Sequence, residues 1–382
     1  MQALSFSFFR YSLSRLLTPL ITACGLFVLG ALPLAAQPFS KAEWPKTDFS
    51  KHSVPFAEIM SGGPPKDGIP AVDRPRFSGV AEAAQWLHEA EPVIVLVRGT
   101  DARAYPLQIM TYHEIVNDTV GGIPVAVTFC PLCNASIVFD RRVSGAVLDF
   151  GTTGKLRKSD LVMYDRQTES WWQQFTGTGI IGRHTGVVLQ QISSAVTSFA
   201  EFQRAWPKGR VLTRETGFVR PYGRNPYRGY DRIGDTPFLF SDPVDARLPA
   251  MERVLGVTLG GKIRVYPFTA LGKLRVINDQ IGSEPVTVLT APGMASALDA
   301  EIIQNSKRIP AAAAYSRRLQ DRVLTFEMRG DAIVDRETGS TWDVFGRAIS
   351  GPRQGAQLRA VDGGVHFAFA WLAFKPESEI YR

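Results

Sequence analysis

The second half of the sequence repeats short motifs of the first half in the same order. The Tyr-Pro pair at Tyr105 recurs at Tyr266 and the Asn-Asp pair at Asn117 recurs at Asn278, each 161 residues further along the chain. A later group recurs at an offset of 170: Asp165, Arg166, Thr168, Ser170 and Trp172 correspond to Asp335, Arg336, Thr338, Ser340 and Trp342. Several spaced identities in the same order predict a tandem duplication.

Composition and short apolar runs predict the type of secondary structure within each copy. The chain has 382 residues, of which 34 are Gly and 25 Pro, a composition rich in turns and typical of β structure. The segments Pro92–Arg98 and Ile123–Phe129 are short apolar runs that predict strands, whereas Gly79–Glu91, Leu107–Val116 and Phe199–Trp206 have helical spacing. We therefore predict an α+β fold of two tandem degenerate repeats, mainly antiparallel β-sheet with a few helices.

The N-terminal segment has the composition of an export signal. Arg10 and Arg15 precede an uncharged apolar run from Leu16 to Leu34, and small residues follow it. The run is also just long enough for an uncleaved membrane anchor. A lipoprotein site at Cys24 is disfavoured because the apolar run continues past it. Each alternative places the mature chain outside the cytoplasm, in the periplasm or cell envelope.

These patterns divide the chain into five segments. They are a signal peptide or uncleaved anchor (1–36), an irregular N-terminal segment (37–77), repeat 1 (78–215), a strap rich in Arg, Pro, Tyr and Gly (216–245) and repeat 2 (246–382). The strap contains three tyrosines, which favour an ordered segment packed over one face.

Charge and motif content exclude several classes of function. The formal net charge is +7, from 43 basic and 36 acidic residues that are scattered along the chain, so we expect no nucleic-acid partner. The sequence has no GxGxxG, Walker or HExxH motif, and Cys133 is followed by Asn134 rather than His, so we expect no nucleotide and no c-type haem. The expected partner is an envelope protein or a small molecule, with membrane contact only through an uncleaved N-terminal segment.

Only two cysteines remain once the leader is removed, and they lie in a CPLC motif. Cys130 directly follows a predicted strand, and the residues after Cys133 alternate as in a β-hairpin. Two cysteines are too few for a disulfide framework, so the pair indicates local chemistry. The second copy has Ala291 where the first has Cys130, and Leu274 where the first has His113. The unrepeated residues therefore predict a site that only repeat 1 keeps.

The donor atoms available near this motif favour a soft metal. Cys130, Cys133, His113 and Met163 together offer thiolates, an imidazole and a thioether, a set suited to copper first and zinc second. The leading hypothesis is a metal site used for redox chemistry or metal handling. The alternative role for His113 is a structural hydrogen bond, and that for Met163 is core packing.

Three other interpretations stay open at this point. The pair is also compatible with thiol–disulfide exchange, although redox CxxC pairs normally open a helix, whereas a hairpin is predicted here. A second is a non-catalytic binding module in which the pair forms a small local disulfide. The third is a cysteine hydrolase that uses Cys130 and His113 with Asp118 or Glu114, and it ranks last because no oxyanion hole is identifiable.

Several segments resemble the family catalogued as domain of unknown function 3179. They are DGIPAVDRPRF (67–77), HEIVND (113–118), VTFCPLCNASIVFDRRVSG (127–145), SDLVMYDRQTESWWQQ (159–174), NPYRGYD (225–231) and DARLPAMERVLGV (245–257). The resemblance runs from about Ser61 to the C-terminus. It implies an exported bacterial or archaeal protein without an agreed activity, whose hallmark is the CPLC segment. Many relatives carry Thr at the position of Cys133, and Met251 stands where relatives usually have a basic residue.

Overall fold

The structure is a computed structural model that describes residues 39–382. The predicted leader (1–36) and Cys24 lie outside the described residues. Most described strands pair antiparallel, and five α-helices lie between them. The predicted α+β class, mainly antiparallel sheet with a few helices, is therefore confirmed. No helix in this part of the chain combines the length and apolarity needed to cross a membrane.

From residue 39 onward, the first half of the chain contains sixteen strands and three helices. The strands are β1 (Ile59–Ser61), β2 (Phe77–Gly79), β3 (Pro92–Arg98), β4 (Asp101–Pro106), β5 (Ile115–Val120), β6 (Ile123–Cys130), β7 (Ala135–Asp140), β8 (Arg142–Val143), β9 (Ala146–Val147), β10 (Phe150–Arg157), β11 (Asp160–Asp165), β12 (Trp171–Gln173), β13 (Thr178–Ile181), β14 (Gln191–Ile192), β15 (Ala195–Ser198) and β16 (Arg210–Leu212). The helices are α1 (Val80–Ala83), α2 (Leu107–His113) and α3 (Phe199–Ala205), and a 3-10 turn covers Phe56–Glu58.

The second half contains thirteen strands and two helices. The strands are β17 (Arg253–Leu259), β18 (Lys262–Pro267), β19 (Val276–Ile281), β20 (Glu284–Ala295), β21 (Arg308–Ser316), β22 (Arg318–Leu319), β23 (Arg322–Val323), β24 (Phe326–Arg329), β25 (Ala332–Asp335), β26 (Thr341–Trp342), β27 (Ala348–Ser350), β28 (Gly363–Phe367) and β29 (Glu379–Ile380). The helices are α4 (Phe268–Leu271) and α5 (Ala368–Phe374), and a 3-10 turn covers Ile303–Asn305.

The strand orders of the two halves correspond. In the first half, the sheet orders are β15-β3-β4-β16-β2, β14-β7-β6-β5 and β1-β10-β11-β12-β13. In the second half they are β28-β17-β18-β29, β19-β20-β21 and β24-β25-β26-β27. In both halves, the first of these sheets contains one parallel pair, β16 with β4 and β18 with β29. Duplication of one unit would produce this correspondence, and the duplication itself stays a prediction.

The repeated residues have the same hydrogen-bonding role in both halves. The Asp165 carboxylate accepts a hydrogen bond from Trp172 Nε1 at 3.0 Å, and that of Asp335 accepts one from Trp342 Nε1 at 2.8 Å. Both Trp side chains are buried, so each indole N–H needs such an acceptor. The residues shared by the two copies therefore serve the scaffold.

The two halves share hydrophobic cores and pack against each other. One core cluster includes Phe129 and Val138 from the first half together with Phe367 and Trp371 from the second. The backbone N–H of Phe367 donates a hydrogen bond to the carbonyl oxygen of Cys133 at 2.9 Å. The start of α5 is thereby held against the CPLC turn.

Two predicted helices are shorter in the structure, and the described part of the N-terminal segment (39–77) contains a strand. The helix predicted over Gly79–Glu91 ends at Ala83, after which the chain turns so that β3 can start at Pro92. The helix predicted to extend to Val116 ends at His113, because Glu114 has a left-handed φ of 56° and leads directly into β5. Strand β1 pairs with β10, which ties the N-terminal segment to the first half.

Candidate functional site: a buried pair of thiols and two carboxyl groups

The two cysteines lie at a tight turn between two buried strands. Strand β6 ends at Cys130, β7 begins at Ala135, and these two residues are paired across the ladder. Asn134 closes the turn with a φ of 50°, a conformation that Asn tolerates better than most residues. A strand rather than a helix therefore follows the cysteine pair, as predicted.

A second turn brings an acidic residue to the same place. Lys158 and Ser159 form the turn between β10 and β11, both with left-handed φ, and Asp160 is the first residue of β11. The Ser159 carbonyl oxygen accepts hydrogen bonds from Cys133 Sγ at 3.4 Å and from Cys130 Sγ at 3.8 Å. The two Sγ atoms and a carboxylate oxygen of Asp160 lie within 4.8 Å of one another. These three residues could hold a metal ion.

Only one of the two carboxylate oxygens of Asp160 is engaged by nitrogen donors. Its Oδ2 accepts hydrogen bonds from Gln173 Nε2 at 2.6 Å and from the Phe175 backbone N–H at 2.9 Å. Its Oδ1 is buried and has no hydrogen-bond partner among residues 39–382. Desolvation by burial raises the pKa of Asp160 to about 7 in spite of the two donors to Oδ2. The side chain is thus oriented through one oxygen, and the other accepts no hydrogen bond from a nitrogen or oxygen donor among the described residues. Hydrogen bonds from the Cys133 and Cys130 thiols also lower the pKa of Asp160, but less than burial raises it.

Glu114 adds a second buried carboxyl group beside the first. It follows α2 directly, and its carbonyl oxygen accepts a hydrogen bond from the Phe129 N–H at 2.8 Å, next to Cys130 in sequence. Burial and the nearby charge of Asp160 raise the pKa of Glu114 to about 8. Close to neutral pH the metal-free site therefore holds protonated or partly protonated carboxyl groups.

Both thiols are free, buried and hard to ionise. Cys130 has 2% of its surface exposed and Cys133 none. Burial is the largest cause that raises the pKa of both thiols, and the hydrogen bond and charge of Cys130 raise that of Cys133 further. A thiol with a raised pKa is a poor nucleophile near neutral pH. A bound cation would reverse this effect, because it stabilises the thiolate.

The Arg/Pro/Tyr/Gly-rich strap (216–245) covers the two turns. The Tyr230 hydroxyl donates a hydrogen bond to the Leu132 carbonyl at 3.1 Å, within the CPLC turn. The Ser159 hydroxyl donates one to the Phe238 carbonyl at 2.6 Å, which ties the strap to the second turn. Burial and the charge of Glu114 raise the pKa of Tyr227, which packs against the hydrophobic core that contains the two cysteines. The strap therefore helps to exclude water from the site.

A search among known protein families matches residues 66–378 to the family described as a protein of unknown function, DUF3179. The chain belongs to this family. No curated protein and no solved structure matches the chain. The segment matched by the DUF3179 family contains both turns of the site, Glu114 and the strap.

In this DUF3179 protein, His113 and the cysteine pair are not brought into one group. His113 Nδ1 is hydrogen-bonded to the Pro70 carbonyl at 2.7 Å, and its Nε2 to the Tyr222 hydroxyl at 2.6 Å. Both ring nitrogens are thus engaged by protein oxygens. Met163 is fully buried in β11 opposite Trp172 and belongs to the same hydrophobic core as the cysteines. Metal ligation by His113 or Met163 stays a prediction.

Sequence reasoning missed Asp160 and named Glu114 only as a possible partner of His113 in a hydrolase, although the repeats contained a signal for both. At the offset of 161, Glu114 corresponds to Arg275, and at the offset of 170, Asp160 corresponds to Gly330. The two acids are therefore unrepeated, like the cysteines. Only the tertiary structure shows that these two acids lie near the thiols.

Proposed function

We propose that this DUF3179 protein holds a metal ion between Cys130, Cys133 and Asp160. The observation that carries the proposal is the convergence, within 4.8 Å, of three potential ligand atoms from two separate turns. A structural role alone would not require two thiols and an unsatisfied carboxylate oxygen in the same dry place, because buried polar atoms normally have partners.

Charge compensation also supports a cation at this place. Burial is the main cause that raises the pKa values of the two thiols and two carboxyl groups without a metal. If all four groups were ionised in this buried site, they would also repel one another strongly. A divalent cation would offset much of this charge and allow the ligands to lose their protons. Glu114 would then balance charge or take a proton next to the ligands.

The donor set favours zinc over copper. Zinc accepts both thiolates and carboxylates, whereas Cu(I) prefers sulfur and imidazole donors. The preference for copper from the sequence depended on His113 and Met163, and both nitrogens of His113 have protein partners. We therefore propose Zn(II) as the first metal and Cu(I) as the second.

The other interpretations of the CPLC motif have less support. Thiol–disulfide exchange needs an accessible thiolate, and here both thiols are buried with raised pKa values. Hydrolysis by Cys130 and His113 would need the imidazole to accept the thiol proton, but its nitrogens are paired with Pro70 and Tyr222.

We further propose that the protein acts in the periplasm or cell envelope, in metal handling rather than in turnover of a large substrate. The leader-like composition of residues 1–36 supports export. Enclosure of the site by the strap favours a metal that is retained in the protein. N-terminal sequencing of protein from the periplasmic fraction tests export: a start near Gln37 supports it, and an intact Met1 in the cytosolic fraction contradicts it.

Elemental analysis of the mature chain, from Gln37 onward, tests the metal proposal. We expect about one zinc or copper per chain after periplasmic expression, and loss of this metal in Cys130→Ser and Asp160→Asn. Glu377→Gln is the matched control for the loss of an acid, because Glu377 is exposed and far from the site in sequence. Wild-type protein without stoichiometric metal, even after incubation with Zn(II) or Cu(I), would refute the proposal.

Two further variants decide which ligand set is used. If the metal is held by Cys130, Cys133 and Asp160, then Met163→Leu and His113→Gln keep the metal in protein that remains folded. If the metal is instead held by the set predicted from the sequence, which includes His113 and Met163, both variants lose the metal and Asp160→Asn retains it.

A further inference from the structure

A cleft of about 500 Å³ separates parts of the two halves, and neither Cys130 nor Cys133 lines it. Strands β3 and β15 form one wall, and β21 and β28 contribute to the other. Most of the side chains that line it are small or apolar, including Val95, Val196, Ala312 and Val365. This volume and lining are typical of a site for a small organic molecule.

The charged side chains that line the cleft are basic. Its lining includes Arg98 and Arg347 and no acidic residue within the described chain. Arg347 is already neutralised, because its Nε donates a hydrogen bond to the Asp343 carboxylate at 2.8 Å. Arg98 differs, because its Nε is buried without a hydrogen-bond partner among the described residues. Asp140 lies near enough to be influenced by Arg98, but the guanidinium of Arg142 occupies its carboxylate.

A buried hydroxyl group provides the second unsatisfied atom. Ser136, in β7, has only 8% of its surface exposed and lines the cleft. Its Oγ is buried and has no hydrogen-bond partner among residues 39–382. Buried polar atoms normally have hydrogen-bond partners, and a ligand that opened access to Ser136 Oγ and Arg98 Nε would supply the partners that both atoms lack. A guanidinium and a hydroxyl together can both donate to the oxygens of an anion.

We propose that this cleft binds a small monocarboxylate with an apolar body, whose carboxylate lies between Arg98 and Ser136. One unpaired guanidinium matches a single negative charge better than a phosphate dianion does. The apolar body would lie against the valine and alanine side chains of the two walls. This binding does not depend on the metal site, so either proposal can fail without the other.

Calorimetric titration of the mature chain with octanoate, and with octanamide as the uncharged match, tests the proposal. We expect octanoate to bind and octanamide to bind at least about tenfold more weakly, since the amide lacks the charge. Arg98→Gln should weaken octanoate binding by about tenfold or more and leave the binding of octanamide unchanged. Arg98→Lys keeps the charge but loses the planar fork, so we expect an intermediate affinity.

Matched variants show whether any loss is specific. Ser136→Ala should weaken octanoate binding severalfold, and Arg183→Gln, which removes an exposed arginine outside the cleft, should not change it. Urea unfolding midpoints confirm that each variant is folded. Equal binding of octanoate and octanamide, no binding of either at millimolar concentration, or octanoate binding unchanged in folded Arg98→Gln would each overturn the proposal.

Discussion

Replacing Glu114 by Gln should change how the stability of the metal-free protein depends on pH. The pKa of Glu114 is raised from 4.5 to about 8 in the fold, mainly by burial. Between these values the native state keeps a proton that the unfolded chain has lost. Raising the pH therefore favours unfolding, so the stability present below pH 4.5 is lost as the pH rises to about 8.

The size of the effect follows from the shift. A difference of one pKa unit corresponds to about 1.4 kcal/mol, so the full shift of Glu114 corresponds to about 5 kcal/mol. Between pH 5 and pH 8.5, most of this range is crossed, and we expect a loss on the order of 4 kcal/mol in the wild type from this residue. Gln does not ionise, so Glu114→Gln should lack this part of the pH dependence. Any constant cost of burying the amide cancels when the two pH values are compared.

Urea unfolding of the chelator-treated protein, followed by tryptophan fluorescence, measures this difference. The free energy of unfolding is determined at pH 5 and pH 8.5 for the wild type, Glu114→Gln and Glu377→Gln. Because Glu377 is exposed, its variant should follow the wild type. Asp160 also titrates in this range and contributes to the wild-type slope, so the comparison between variants is the quantity of interest. Parallel profiles for the wild type and Glu114→Gln would refute the assignment of a buried, protonated Glu114.

Three further predictions follow from buried charges and thiols. Titration of the metal-free protein with Zn(II) at pH 6 in weak buffer should release more than one proton per metal, because the ligands are protonated before the metal binds. If the wild type releases no more protons than Cys130→Ser does, this prediction is contradicted. Asp231→Asn should destabilise the fold by about 3–5 kcal/mol in urea unfolding, because it leaves the buried guanidinium of Arg253, now 2.9 Å from Asp231, without its counter-charge. Asp321→Asn, which changes an exposed acid, is the control. The thiols of Cys130 and Cys133 should react with a thiol reagent only after denaturation, and rapid reaction in the native metal-free protein would contradict their burial.

Local patterns in the sequence determined much of the secondary structure. The apolar run Pro92–Arg98 is a strand with the same bounds in the structure, and Ile123–Phe129 is a strand that continues to Cys130. A strand that is buried on both faces can be recognised in the sequence, because consecutive residues along it are apolar. The end of α2 was not recognisable, since it depends on a left-handed φ at Glu114, which no apolar pattern encodes.

The sequence predicted only part of the candidate site. The sequence alone identified the cysteine pair, because two cysteines with only two residues between them must be close in any fold. Asp160 lies thirty residues after Cys130, and only the packing of the β10–β11 turn against the β6–β7 turn brings its carboxylate to the thiols. In the same way, the partners of His113, Pro70 and Tyr222, come from distant segments. Contacts between residues far apart in sequence depend on how sheets and loops pack, so the tertiary structure decided which acids face the thiols and which bonds hold the histidine.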